Sequence, residues 1–118
     1  MPALALIALG GALGAVARAG LVAIFGDQPW WGTLAVNVLG CLAIGYLLVV
    51  LRTSPRAGTW VPFGVTGFLG GFTTFSALAL DTIVLLDTDP VTAVAYLAVT
   101  LLAGLLAVSL GTKFAGRR

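Results

Sequence analysis

The chain has 118 residues, of which 60% are hydrophobic and 8% charged, and its formal net charge is +2. Soluble domains contain about 25% charged residues, and a domain of this size has no core large enough for so much apolar surface, so the composition indicates one lipid-covered domain. The sequence has no His, no Glu and a single cysteine, Cys41, which excludes histidine catalysis, a glutamate proton relay and a multi-cysteine metal site. Because no nucleophile–base pair remains, we expect no enzyme activity.

Four apolar stretches are long enough to cross the hydrocarbon core, which takes about 20 helical residues. They cover about residues 3–25, 32–51, 60–86 and 91–114, and short polar breaks separate them. The sequence therefore predicts an all-α membrane protein, with a single four-helix transmembrane domain over residues 1–118.

The cations are sorted to one side of these spans. The second loop and the C-terminal end carry five of them: Arg52, Arg56, Lys113, Arg117 and Arg118. The charged residues of the first and third loops are all aspartates. Cytoplasmic loops of membrane proteins are enriched in Lys and Arg. We therefore predict a multi-pass protein of the cell membrane with both termini in the cytoplasm.

The first span contains Gly10, Gly14 and Arg18 on one helical face. Small residues at this spacing are typical of close helix packing, which is the simplest interpretation of the two glycines. A cation inside a span is expensive unless it is paired or hydrated. Arg18 is therefore expected to face a partner or an aqueous vestibule, and Asp81 is the one carboxylate within the spans.

Polar residues also mark the second and fourth spans. Asn37 is either a hydrogen-bonding link between helices or an amide donor that lines a polar path, and Cys41 is interpreted as a small packing residue. Tyr96 and Thr100 lie one turn apart on the fourth span. Tyr96 alone would indicate an interfacial anchor, whereas the two together are compatible with a track of hydroxyl groups.

The middle of the third span predicts an interruption of the helix. Two adjacent glycines, Gly70 and Gly71, weaken a helix by about 1 kcal/mol each, and the hydroxyls of residues 73, 74 and 76 can bond the loosened backbone. Broken backbone at membrane depth survives only inside protein or beside a wet cavity, where its free carbonyl and N–H groups can hold ions. The alternative is an intact helix with a glycine-rich packing face.

Three segments together resemble the signatures of the Fluc (CrcB) fluoride channel family in order and spacing. They are residues 10–18 (GGALGAVAR), 32–40 (GTLAVNVLG) and 70–76 (GGFTTFS). The resemblance covers nearly the whole chain, and it implies a fluoride-selective passive channel that exports cytoplasmic fluoride and so relieves its toxicity. It also implies an antiparallel dimer with two fluoride pathways at the subunit interface.

Residue roles follow from the same resemblance. It implies a structural sodium ion at the dimer centre, held by the backbone carbonyls of Gly70 and Thr73 from each subunit. The fluoride pathway would be bordered by Asn37, Phe75 and Ser76, with Tyr96 and Thr100 as the hydroxyl track, and the vestibule would contain Arg18 and Asp81.

Three positions depart from the family pattern. Leu78 replaces a second phenylalanine, Ala79 a serine and Asp81 a glutamate. The strong cation bias favours a heterodimer with an oppositely oriented homologous subunit, in which one degraded pathway is tolerated. Two other functions stay open: a small multidrug-type proton-coupled transporter, which would need a carboxylate deep in the first span, and a non-conducting assembly subunit of a channel pair.

Overall fold

The computed structural model describes residues 2–117, and every regular element within them is helical. Four segments are long and apolar enough to cross a membrane, which confirms the predicted number of spans. They are α1 (Ala3–Ala23), α2 (Pro29–Arg52), a composite third segment (57–88) and a last helix (Pro90–Arg117).

Prolines set the start of two spans. Pro29 opens α2 and Pro90 opens the last helix, where a missing N–H removes nothing from the helical hydrogen-bond ladder. Both helices therefore begin earlier than the apolar pattern predicted. The side chain of Asp89, just before the last helix, accepts a hydrogen bond of 3.2 Å from the backbone N–H of Thr92 and another from its hydroxyl. These bonds lower the pKa of Asp89, the hydroxyl bond having the larger effect.

The third segment is a composite of short helices. It begins with α3 (Ala57–Trp60), continues as a π-helix, π1 (Val61–Leu69), and ends its first half with α4 (Gly70–Phe72). Most π-helices are single turns, so a run of 9 residues is unusual. Nothing in the apolar pattern predicted it.

Residues 73–75 separate this first half from α5 (Ser76–Thr88). The backbone of Thr73 is extended, with φ −79° and ψ 155°. Regular helical geometry returns at Ser76. α6 (Pro90–Arg117) follows after the single residue Asp89. The segment 73–75 is called the interruption below.

Glycines allow two pairs of helices to touch through their backbones. A Cβ atom at Gly10 would overlap the carbonyl of Phe63, and one at Gly14 would overlap the carbonyl of Phe68, so α1 lies directly on π1. On the other side, a Cβ at Gly111 of α6 would overlap the carbonyl of Leu42 in α2. This is the small-residue packing expected of membrane helices.

The apolar core is small and lies between α5, α6 and the start of α2. Its buried members are Leu78, Leu85, Ala93 and Tyr96, with Trp30, Leu34 and Leu97 packed against them. Many other large apolar side chains stay exposed, among them Leu4 at 81% and Leu102 at 67%. In a membrane these surfaces are covered by lipid or by another chain.

Candidate functional site

The carboxamide of Asn37 binds both polar groups of the interruption at Thr74. Its Nδ2 donates to the carbonyl oxygen of Thr74 at 2.9 Å, and its Oδ1 accepts from the N–H of Thr74 at 2.8 Å. In a continuous α-helix that N–H would donate to the carbonyl of Gly70, four residues earlier. The Thr74 N–H therefore donates to Asn37 and not to the carbonyl of Gly70.

Hydroxyl groups hold the remaining backbone of the interruption. Thr73 donates its hydroxyl to the carbonyl of Leu69 at 2.9 Å. The hydroxyl of Thr74 accepts from the N–H of Ala77 at 3.1 Å and lies 3.2 Å from the hydroxyl of Ser76. The hydroxyl of Thr74 therefore binds an N–H of the first turn of α5.

One cavity lies beside the interruption and is called the break cavity. It has a volume of about 480 Å³, and Asn37, Phe75, Leu78 and Thr100 are among its lining residues. The hydroxyl of Thr100 is buried and has no hydrogen-bond partner within residues 2–117. Phe75 is 74% exposed, so its ring is left open by the subunit's own helices. The break cavity is thus bordered by a residue whose buried hydroxyl has no partner in the described chain and by an uncovered aromatic ring.

A second cavity, of about 430 Å³, lies toward the loop that joins α1 to α2 and is called the polar cavity. Arg18 and Asp81 both line it, so the structure places the two predicted vestibule residues around one cavity. The carboxylate of Asp81 accepts a hydrogen bond of 3.0 Å from the hydroxyl of Tyr96. Thr33 is 2% exposed and lines the same cavity.

The residues proposed from sequence divide between the two cavities. Asn37, Phe75 and Thr100 line the break cavity, whereas Ser76 lines the polar cavity with Arg18 and Asp81; Thr74 lines both. Thr74 was missed as a site residue, although the sequence predicts that its hydroxyl bonds the backbone of this region.

Tyr96 and Thr100 do not share a cavity, although they lie one turn apart. Tyr96 is buried in the core and bonds Asp81, while Thr100 faces the break cavity. Long side chains on a helix lean toward its N-terminus, so the Tyr96 hydroxyl reaches away from Thr100. In the single subunit the two hydroxyls have different surroundings, and the hydroxyl track stays a prediction.

Of the two residues expected to bind sodium, Gly70 is the first residue of α4 and Thr73 follows its last. A Cβ placed at Gly70 would find no atom nearer than 4.0 Å, so this position is open within the subunit. Thr73 lines the break cavity. No cluster of three His, Cys, Asp or Glu side chains occurs within residues 2–117, so a cation here would depend on carbonyl oxygens, which hard cations accept. One subunit supplies too few of them to surround an ion.

Comparison with known proteins identifies a family across almost the whole chain. Residues 5–112 match the family model described as CrcB-like protein, Camphor Resistance (CrcB). The chain is 48% identical over 113 residues to Fluoride-specific ion channel FluC 2 of Thermobifida fusca, covering 92% of this chain and 84% of that protein. It is 46% identical over 110 residues to Fluoride-specific ion channel FluC of Paracoccus denitrificans, covering 89% and 87% respectively.

Proposed function

We propose that this chain, which belongs to the CrcB-like family, is a subunit of a fluoride-selective passive channel in the cell membrane. The observation that carries the proposal is the break cavity, where the buried hydroxyl of Thr100 has no partner within the described chain. A buried donor without a partner costs roughly 1–3 kcal/mol. An anion in the cavity would supply the missing acceptor.

The chemistry of the break cavity suits a small anion. Fluoride is tightly hydrated, so a path for it must replace water with close donors. The Thr100 hydroxyl is one donor. The second amide hydrogen of Asn37 is another, because the carbonyl of Thr74 accepts only the first. The edge of an aromatic ring carries positive potential, so Phe75 can approach the anion edge-on. No carboxylate side chain lines this cavity.

The polar cavity is proposed as the vestibule of the same path. Arg18 supplies positive charge that attracts anions from solution. Thr74 and Ser76 lead from this cavity toward the interruption, and Thr74 also lines the break cavity. An anion would therefore pass from Arg18 along these hydroxyls to Thr100.

We propose further that the interruption is a break at membrane depth and that a second, antiparallel subunit completes the site. Phe75 and Gly70 are both exposed in the single subunit. In the dimer, the carbonyls of Gly70 and Thr73 from both subunits would surround a structural sodium ion. The hydrogen bond from the Thr74 N–H to Asn37 supports this sodium site, because it leaves the Gly70 carbonyl available to a cation. The ion would raise the potential along both paths without entering either.

Passive conduction is sufficient for fluoride export. An inside-negative potential of 100 mV favours exit of a monovalent anion by about 2.3 kcal/mol. No proton coupling is needed, and α1 contains no carboxylate of the kind that a small multidrug-type transporter requires. A non-conducting assembly role remains the second candidate, since Leu78 stands at the position of a family phenylalanine and is packed in the core at 2% exposure.

Ion release from liposomes tests the proposal. Purified protein, with its partner chain if one is required, is expected to release fluoride under a potassium diffusion potential and to retain chloride. Thr100→Val removes the unpartnered hydroxyl at nearly constant volume, so fluoride release is expected to fall while the melting temperature is kept or raised. Equal chloride release, or release that needs a proton gradient, contradicts the channel; unchanged flux in Thr100→Val contradicts the assigned path.

A further inference from the structure

A third cavity lies on the other side of the seam between α2 and α6. This groove has a volume of about 510 Å³, and α2 lines it with Leu39, Ala43 and Tyr46 while α6 lines it with Gly111 and Phe114. The break cavity involves different residues of the same helices, including Asn37 and Thr100. The groove is therefore separate from the proposed fluoride path.

The groove lies near the cationic ends of both helices. Cβ contacts pair Gly104 with Cys41 and Gly111 with Leu42, so α2 and α6 run side by side in the same direction. Their last turns both carry a basic residue, Arg52 on α2 and Arg117 on α6.

The axial distances place the groove between the cationic end of α2 and the middle of that helix. Tyr46 precedes Arg52 by six residues, or about 9 Å of helix. Leu39 is a further ~10 Å from that end. Leu39 is therefore about 20 Å from the Arg52 end, beyond half of a hydrocarbon core of about 30 Å, so the groove extends from near the cationic end to about the middle of the bilayer. On α6, Phe114 lines the groove one turn before Arg117.

The cations at this end have no carboxylate side chain to pair with. Lys113 and Arg117 are four residues apart and share a helix face, and both are exposed. The four aspartates of the chain lie at the opposite end or near it, in the loop after α1, in α5 and just before α6. The apolar groove thus ends beside a cluster of positive charge that is open to an external anion.

We propose that this groove binds one acyl chain of an anionic phospholipid, with the phosphate held by Arg52, Lys113 and Arg117. Basic residues beside a cleft between membrane helices suit an anionic headgroup. The groove itself has no polar side chain apart from Tyr46, an aromatic type favoured at the membrane interface. Exposed small and polar residues at the interruption, such as Gly70 and Ser76, favour a protein partner there, whereas the apolar lining of the groove favours a lipid here.

Native mass spectrometry of the delipidated, detergent-solubilised protein tests the proposal. Dioleoyl phosphatidylglycerol is expected to be retained several-fold more than dioleoyl phosphatidylcholine. Ala43→Phe fills the groove and is expected to lose the bound lipid. Ala98→Phe places the same side chain on an exposed position of α6 outside the groove and is the matched control.

A second pair of variants tests the headgroup independently of the groove. The double variant Lys113→Gln/Arg117→Gln is expected to retain both lipids equally, whereas Arg56→Gln, in the neighbouring loop, keeps the preference for phosphatidylglycerol. Equal retention of the two lipids by the unmodified protein would overturn the proposal, as would unaltered binding in Ala43→Phe. Loss of a dimer in Ala43→Phe but not in Ala98→Phe would assign the groove to a subunit interface and overturn the lipid site.

Discussion

Asn37 is the residue on which the proposed anion path and the proposed cation site both depend. The backbone carbonyl of Thr74 binds one amide hydrogen of the Asn37 side chain, and the backbone N–H of Thr74 binds its carbonyl oxygen. Each such bond contributes about 1 kcal/mol, and leaving a buried partner unpaired costs more. The second amide hydrogen stays available to an anion, so the same side chain can support the backbone and face the path.

Two substitutions of Asn37 separate these roles. Asn37→Asp keeps an acceptor for the Thr74 N–H but adds negative charge beside the break cavity, so fluoride flux is expected to be abolished while assembly persists. Asn37→Leu removes both bonds to Thr74, so the melting temperature is expected to fall as well. Liposome flux and size-exclusion chromatography measure the two effects. Near-normal fluoride flux in Asn37→Asp would show that Asn37 has a purely structural role.

The sequence could name polar residues of the candidate site but not their hydrogen-bond partners. Asn37 carried two interpretations, and the structure gives the interhelical hydrogen bond directly. Thr73, Thr74 and Ser76 were grouped together because their separate roles depend on where α4 ends and α5 begins. Tyr96 and Thr100 shared a face by periodicity, but the length of the tyrosine side chain carries its hydroxyl to Asp81. The partner that a side chain contacts depends on the three-dimensional structure, and residue spacing alone does not determine it.

Among the elements, α1 and π1 are in close backbone contact, and the sequence indicated that α1 packs tightly. The glycines of α1 predicted tight packing, and Gly10 and Gly14 indeed lie against carbonyl groups of π1. The π-helical geometry of the partner was not predictable, because neither propensity nor apolar spacing distinguishes nine such residues from an α-helix. Span ends were also displaced by a few residues where prolines, rather than apolar side chains, determine the start.

A matched pair of glycine substitutions in α1 tests this packing. Gly14→Ala would overlap the Phe68 carbonyl, so it is expected to destabilise the fold by roughly 1–3 kcal/mol. Gly20→Ala meets no atom within 4 Å and is expected to be neutral or stabilising by about 0.5–1 kcal/mol, since alanine favours a helix over glycine. Thermal unfolding followed by tryptophan fluorescence reports both. Similar melting temperatures for the two variants would contradict direct backbone contact between α1 and π1.

The α4 element supplies the test of the sodium site. Gly70→Leu has room within the subunit, so the isolated chain is expected to fold while the dimer is lost, because the added side chain would block the approach of two subunits. Thr73→Ser keeps the backbone carbonyl and is expected to be mild. Sedimentation with and without sodium compares the two variants. A dimer that is equally stable and equally conductive without sodium would exclude the ion from the assembly.

At the scale of the whole molecule, charge is concentrated at one end of the helical bundle. Arg52, Arg56, Lys113 and Arg117 lie at the ends of α2 and α6 or in the loop after α2, and Arg118 adds to them from outside the described residues. The opposite loops carry only aspartates. From the positive-inside rule we propose that this chain has one preferred orientation, with both termini in the cytoplasm.

A strongly oriented chain cannot readily form an antiparallel pair with itself. The channel proposed here is therefore expected to be a heterodimer with a homologous chain of opposite cation bias. Leu78 is consistent with a heterodimer. At 2% exposure it fills the core beside Tyr96, where the family pattern has a phenylalanine, and one weakened pathway is tolerable if the other conducts.

Expressed alone with a C-terminal tag, this chain is expected to show the tag only on the cytoplasmic side and to conduct little fluoride. Co-expression of an oppositely biased homologue is expected to restore flux. As a control, replacing Arg52 and Arg56 with glutamine and adding two lysines to the loop after α1 reduces the bias, and it should produce tags on both sides. Tags on both sides together with full flux from the unmodified single gene would contradict the heterodimer and establish a homodimer.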